Sequence, residues 1–390
     1  MSYFLLPQIT NNINNMHIDN INVVFSEKTP QIAISHTVHK YLSELKKNID
    51  NISSNWDIFK KYTNPYEYIH TAIPGTKKSV SKFNPVSRSY YKLIEIANLL
   101  HLFNDSDTSI QSFHLAEGPG GFIEAMVYIR NNYNDLYTGM TLIDDNVSIP
   151  GWKKSETYFK NKPFINIENG ADNTGNLFNW ENFLHCNKHY KGKMNFITGD
   201  GGFDYSIDFN KQEILSTKLV LVQLMYALTM QKNGGNFVLK IFDVFTQAMI
   251  DILFLISNCY EKVYIIKPFT SRRANSERYV VCKNFNQAHN VANIIDKLRP
   301  VFFNEINIHR ILNIKIPHIF MNKLNDINAI IGQQQMENIS STISLINQKN
   351  KDKIDNMRKI NIQKCITWCQ KNKVQFNKQN ESNNIFLSNR

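Results

Sequence analysis

The feature that most limits what this chain can become is an alternation running from residue 111 to residue 285. Short apolar runs (SFHLAE, LYTGMTLI, FINIENG, MNFITGD, GGNFVLKIF, KVYIIKP and ERYVVCKNF) alternate with helix-like stretches such as GFIEAMVYIRNN, KQEILSTKLVLVQLMYALTMQK and TQAMIDILFLISNCY. Strands that are continuously apolar are buried on both faces, so the pattern predicts a parallel sheet covered by helices on either side. The last two runs break the alternation. Only FTSRRANS, eight residues, joins them, which is too short for a parallel crossover, so the final strand must run antiparallel. The expected architecture is α/β and Rossmann-like, with six parallel strands and one inserted antiparallel strand, seven in all.

Outside this region the signals are weaker. TVHKYLSELKKN predicts a helix over 37–48, SRSYYKLIEIANLLHLF predicts one over 87–103, and the segment 62–82, with two prolines and a glycine, reads as irregular chain. The expected division is an N-terminal extension over 1–84, a core over 85–290 and a basic, mostly helical C-terminal extension over 291–390. With 390 residues and 42% hydrophobic content the chain can bury a large core. A net charge of +11 favours a polyanionic partner such as nucleic acid. The tail 349–390 holds ten Lys or Arg against three Asp or Glu, the pattern of a solvated helix face or of an RNA contact. Runs such as ILFLISNCY are too short to span a membrane, so no membrane partner and a cytoplasmic location are expected. Of five cysteines only Cys365 and Cys369 are closely spaced, and without a second pair no metal site is expected.

The turn AEGPGGF follows the first regular strand and opens a helix, the place where a ligand sits in a sheet wound this way. A seven-stranded sheet with one antiparallel strand is the plan of methyltransferases that use S-adenosylmethionine. On that plan Gly118, Gly120 and Gly121 let backbone approach the methionine end of the cofactor, Pro119 stiffens the turn, and Phe122 begins a helix whose free N–H groups meet a carboxylate. Glu117 is placed to accept from the cofactor's ammonium. Asp144, beside Asp145 in TLIDD, is a candidate for the ribose hydroxyls, and Asp172 in GADNTGNL for the adenine amino group. Either aspartate could instead fold its own turn.

With NPYEYI, SRSYYKL, AEGPGGF, GADNTGNL, GDGGF, GGNFVLKIFDVFT and KPFTSRRANSERYVVCK in order over residues 60–285, the chain resembles the FtsJ-like (RrmJ-like) ribose 2′-O-methyltransferases, in particular the branch that acts on capped mRNA. The resemblance implies a Lys-Asp-Lys-Glu catalytic set, which falls on Lys92, Asp200, Lys240 and Glu277. Asp200 would also touch the cofactor, and Lys240 would be the base or the group that orients the attacking hydroxyl. The acidic IDD at the second strand end departs from what the branch leads one to expect.

For the RNA, Tyr62, Tyr66 and Glu67 are candidates for a cap guanine, and Lys60, Lys61, Arg88, Arg272 and Arg273 for phosphates. The resemblance implies conversion of cap-0 to cap-1 on the first transcribed nucleotide, with the capped 5′ end and other capping enzymes as partners. The competing readings are a ribose methyltransferase of ribosomal or transfer RNA and a catalytically idle methyltransferase fold that binds RNA or scaffolds a partner. The Asn- and Ile-rich composition suggests a large DNA virus as the source.

Overall fold

The structure, a computed structural model, describes residues 2–8, 18–50, 52–103, 108–146, 149–203, 208–286 and 291–377. The last stretch of the basic tail, from 378 onward, lies outside the described residues. In chain order the first half contains β1 (Ser2–Leu5), β2 (Ile21–Ser26), α1 (His36–Asp50), α2 (Ser53–Thr63), α3 (Ser89–Leu100), β3 (Gln111–Leu115), α4 (Gly121–Arg130), β4 (Leu136–Met140), α5 (Glu156–Lys160), β5 (Ile165–Ile167) and α6 (Trp180–Tyr190). The second half contains β6 (Met194–Gly199), α7 (Gln212–Met230), β7 (Gln231–Ile241), α8 (Gln247–Cys259), β8 (Tyr260–Lys267), β9 (Arg278–Phe285), α9 (Val291–Leu298), β10 (Asn307–Leu312), α10 (His318–Gln348) and α11 (Lys351–Lys371).

Each apolar run of the alternation forms a strand. The sheet order is β1-β8-β9-β7-β6-β3-β4-β5. Strands β3 to β7 pair in parallel, and β9 lies between β7 and β8, antiparallel to both, as the eight-residue link requires. The sheet has eight strands rather than seven. The extra one is β1, which pairs antiparallel with β8 and covers what would otherwise be its open edge. The terminal extensions are not purely helical either, since β2 and β10 form a separate two-stranded sheet.

Helix α7 is apolar all round because it is buried on nearly every side, from Leu219 to Met230. The stretch Phe209–Met230 is long and apolar enough to cross a membrane, yet 83% of its most apolar 18-residue window is buried within the fold. It packs with β3, β7 and α8 in a core that also takes Phe320, Leu324 and Ile331 of α10. On the other face of the sheet, α3 and α4 share a second cluster with Cys365, Trp368 and Cys369 of α11. Those two cysteines are free thiols packed as apolar groups.

Candidate active site

Sheet register assembles the centre of the site. Gly199 at the end of β6 is level with Leu239 of β7, so Asp200, the next residue, comes beside Lys240. Lys240 Nζ donates to the backbone carbonyl of Asp200 at 2.6 Å and lies 3.3 Å from its carboxylate. Across the antiparallel pair, Lys240 faces Tyr279, whose hydroxyl donates to Asp200 Oδ1 at 2.9 Å. Glu277 precedes Tyr279 by two residues on extended chain and so shares its face. From above the sheet, Lys92 of α3 reaches down, donating to Glu277 Oε2 at 2.8 Å with its ammonium 5.9 Å from the Tyr279 ring. All four residues of the expected catalytic set therefore meet.

Electrostatics separate Glu277 and Glu117, two of the three acids of this neighbourhood. Burial would raise the Glu277 carboxyl, but the cations of Lys92, Lys240 and Lys267 outweigh it and hold the group down at about 2. Its Oε1 is buried with no hydrogen-bond partner among the described residues. Glu117 goes the other way, pushed by burial to about 8 with the Asp200 carboxylate adding to the rise, even though two amides and Lys240 oppose it. Burial, with the carboxylates of Asp200 and Glu277, also lifts the Tyr279 phenol well above the usual tyrosine range, so it remains a donor.

Two members of this neighbourhood were not anticipated. Tyr279 lay inside a quoted motif without a role, although its position opposite Lys240 follows once β9 is taken as antiparallel. Lys267, at the end of β8, donates at 2.6 Å each to the carbonyls of Asn275 and Glu277 and to the Asn275 side chain. Burial pushes its ammonium down to about 7, against the pull of Glu277. Like Tyr279, it lies in a quoted motif, opening KPFTSRRANSERYVVCK, without a role assigned to it.

The glycine-rich turn serves partly different ends from those expected. Gly120 begins α4 at φ +108°, and a Cβ there would meet the Phe159 ring at 2.6 Å. At Gly121 it would run into Ser89 Oγ of α3, and at Gly118 it would meet the Gly151 carbonyl at 2.8 Å. These glycines admit protein neighbours, with Pro119 joined to Gly118 by a cis bond. The first-turn amides of Phe122 and Ile123 are not free for a ligand, because Glu117 Oε1 accepts both, at 2.7 and 2.9 Å. Asp144 does not end a strand: β4 stops at Met140, and the exposed Asp144 accepts from the Asn146 amide at 2.8 Å. Asp172 is engaged in building its own loop, accepting from the amide and hydroxyl of Thr174 and from the side chains of Asn179 and Asn182 at 2.6–2.9 Å.

Glu67 is no cap ligand in this fold. It is 0% exposed and binds Arg88 and Arg272 at 2.8–3.1 Å, with Asn64 and Thr71 completing its shell. Burial raises its carboxyl, but the guanidiniums win and hold it well below the usual range. Arg88 and Arg272 are thus fixed by one buried carboxylate, while Arg273 is exposed. Tyr66 stacks on Phe269 at 4.8 Å, Tyr62 packs edge-on to Phe59, and Lys60 pairs with Asp57. A cavity of about 640 Å³ between Tyr90, Tyr128, Tyr158 and Phe164 touches none of the four central residues.

Residues 85–285, just over half of the chain, match the family described as FtsJ-like methyltransferase. The chain belongs to that family. Mouse and human proteins named cap-specific mRNA (nucleoside-2′-O-)-methyltransferase 1 are each 34% identical to it over 241 residues, covering 59% of this chain and 26% of theirs. A Caenorhabditis elegans protein of the same name is 32% identical over 262 residues, covering 62% and 28%. The chain thus spans about a quarter of the length of these relatives. Among solved structures, a Plasmodium falciparum protein described as a ribosomal RNA methyltransferase is similar at 22% identity and a TM-score of 0.37, covering 51% of this chain and 97% of its own; nothing further rests on it.

The cofactor that goes with the family is S-adenosylmethionine. Glu117 fits that group: a carboxyl raised by burial is what the cofactor's ammonium would satisfy.

Proposed function

We propose that the protein is a cap-specific mRNA 2′-O-ribose methyltransferase, acting on the first transcribed nucleotide to turn cap-0 into cap-1. The observation that carries this reading is the Lys92–Glu277 and Lys240–Asp200 pairing around Glu277 Oε1, which has no partner among the described residues. A buried, ionised oxygen with no donor among the described residues is a ready acceptor for a ribose hydroxyl. The names of the relatives and the charge of +11 support capped RNA as the substrate.

On this reading each residue has a definite task. Lys240 Nζ, anchored by the Asp200 carbonyl, orients the 2′-hydroxyl and, in its neutral amine form, takes the hydroxyl proton to become the ammonium as the methyl group is transferred. Asp200, itself held by Tyr279, fixes Lys240, and Glu277 balances Lys92 and accepts from the ribose. Glu117 holds the donor's ammonium, with Asp144 and Asp172 near its ribose and adenine. When bound, S-adenosylmethionine supplies an electrophilic methyl group. Arg88, Arg272 and Arg273 present positive charge to phosphates beside Tyr66. The reading extends to a viral source, a cytoplasmic site of action and other capping enzymes as partners; confinement of the protein to nuclei would contradict the location.

The test uses labelled methyl donor with matched capped, uncapped and internally structured transcripts. Transfer to the capped transcript is expected, and equal methylation of uncapped RNA would overturn the cap assignment. In the same assay Lys240→Arg should fail nearly as badly as Lys240→Ala, by on the order of 10²- to 10⁴-fold, because a guanidinium keeps the charge but does not exchange the proton. An Arg variant close to the parent rate would remove Lys240 from proton handling.

A further inference from the structure

Glu277 is flanked by two residues that face away from it into a buried ionic cluster. Extended chain alternates its side chains, so Ser276 and Arg278 turn to the opposite side, where they are 0% and 1% exposed. Asp243, three residues beyond Lys240, joins them. Its Oδ1 accepts from Arg278 Nη2 at 2.9 Å, and its Oδ2 accepts from Ser276 Oγ at 2.7 Å and from Lys46 Nζ at 3.0 Å. Lys46 also donates to Ser276 Oγ at 2.9 Å. From α10, Asn328 Oδ1 accepts from Arg278 at 3.2 Å, and Gln335 Nε2 donates to the Ala274 carbonyl at 3.0 Å.

Lys46 lies on α1, and Asn328 and Gln335 lie on α10, both outside the residues that match the family. Stability alone does not ask for such an arrangement, since buried ion pairs can often be exchanged for apolar residues with little loss. What the cluster does provide is a fixed position for both neighbours of Glu277 and for the chain leaving Lys240. We propose that Lys46 is a positioning residue for the methyl-transfer reaction, acting through Ser276 and Asp243 to hold Glu277 against Lys92. This rests on the reading of the site given above.

The test is made on the full chain with Lys46→Met, which keeps the aliphatic stem and removes the ammonium. At saturating donor and RNA the single-turnover rate should fall on the order of 10- to 100-fold, with both dissociation constants within about twofold of the parent. A rate within about twofold of the parent, measured on folded protein, overturns the proposal. Should Lys46→Met not fold, Gln335→Met decides in its place. It removes the bonds to the Ala274 carbonyl and to Ser276 Oγ without unpairing a charge, and a smaller rate loss with the same unchanged binding is expected. Amide hydrogen exchange over residues 274–279 needs no substrate. It should be faster in either variant, and unaltered protection there overturns the positioning role. A parent inactive on capped RNA would sink only the substrate reading.

Discussion

A carboxyl group bonded to two backbone amides ordinarily titrates low, yet Glu117 is pushed up to about 8. Burial decides the sign, with Asp200 adding to it, because the amides touch only one oxygen and the pull of Lys240 does not offset the lost hydration. Folded protein therefore keeps a proton that the unfolded chain gives up near the ordinary value of 4.5. The group's contribution to stability is full below that value and is lost as pH rises through about 8. An ammonium bound beside it would favour the carboxylate and reverse this. Binding of S-adenosylmethionine, or of its demethylated product, should tighten as pH rises from about 6 to about 8 and release up to about one proton per site. Titration calorimetry in buffers of different ionisation heat reads that proton directly, and Glu117→Gln should abolish its release. Donor binding without proton release would place the ammonium elsewhere.

Among elements, α3, which carries Lys92, crosses the start of α4 where Gly121 lies against Ser89. Gly121→Ala would drive a methyl group into Ser89 Oγ and should cost about 1–3 kcal/mol in urea unfolding. Ser89→Ala should restore much of it, and additive effects in that pair would mean the two residues do not touch. The sequence allowed part of this site to be read and concealed the rest for physical reasons. Lys240, Asp200 and Glu277 sit at strand ends that the apolar runs mark, and an eight-residue link forces β9 to be antiparallel, so their meeting followed from local pattern joined to the resemblance. Which atom a Cβ would strike at Gly120 or Gly121 depends on Phe159 and Ser89, tens of residues away in sequence, and no local pattern reports it. Glu67, an acid between two tyrosines, looked like a surface ligand because nothing nearby shows that Arg88 and Arg272 converge on it. Strand β1 is only four residues long, too short to announce its pairing with β8.

Taken as a whole, the molecule does not divide where composition changes. Helix α11, from the basic C-terminal end, packs Trp368 edge-on against Tyr91 at 5.8 Å, one residue from Lys92. Asn361 on the same helix donates to the Tyr62 carbonyl at 2.7 Å, and the chain beyond it bonds from Gln375 back to Lys82. The C-terminal extension thus straps the 62–82 segment onto α3 through an apolar cluster that also holds Phe122 and Tyr279. An appended module would leave the core's unfolding untouched when its own packing is damaged. Trp368 is only 3% exposed, so Trp368→Ala should remove about 3–5 kcal/mol. That loss should appear in a single urea transition followed both by circular dichroism and by tyrosine fluorescence, because Tyr91 and the sheet beneath it lose their cover together. Two separated transitions, or a main transition displaced by less than about 1 kcal/mol, would show that the strap is peripheral and that the core stands without it.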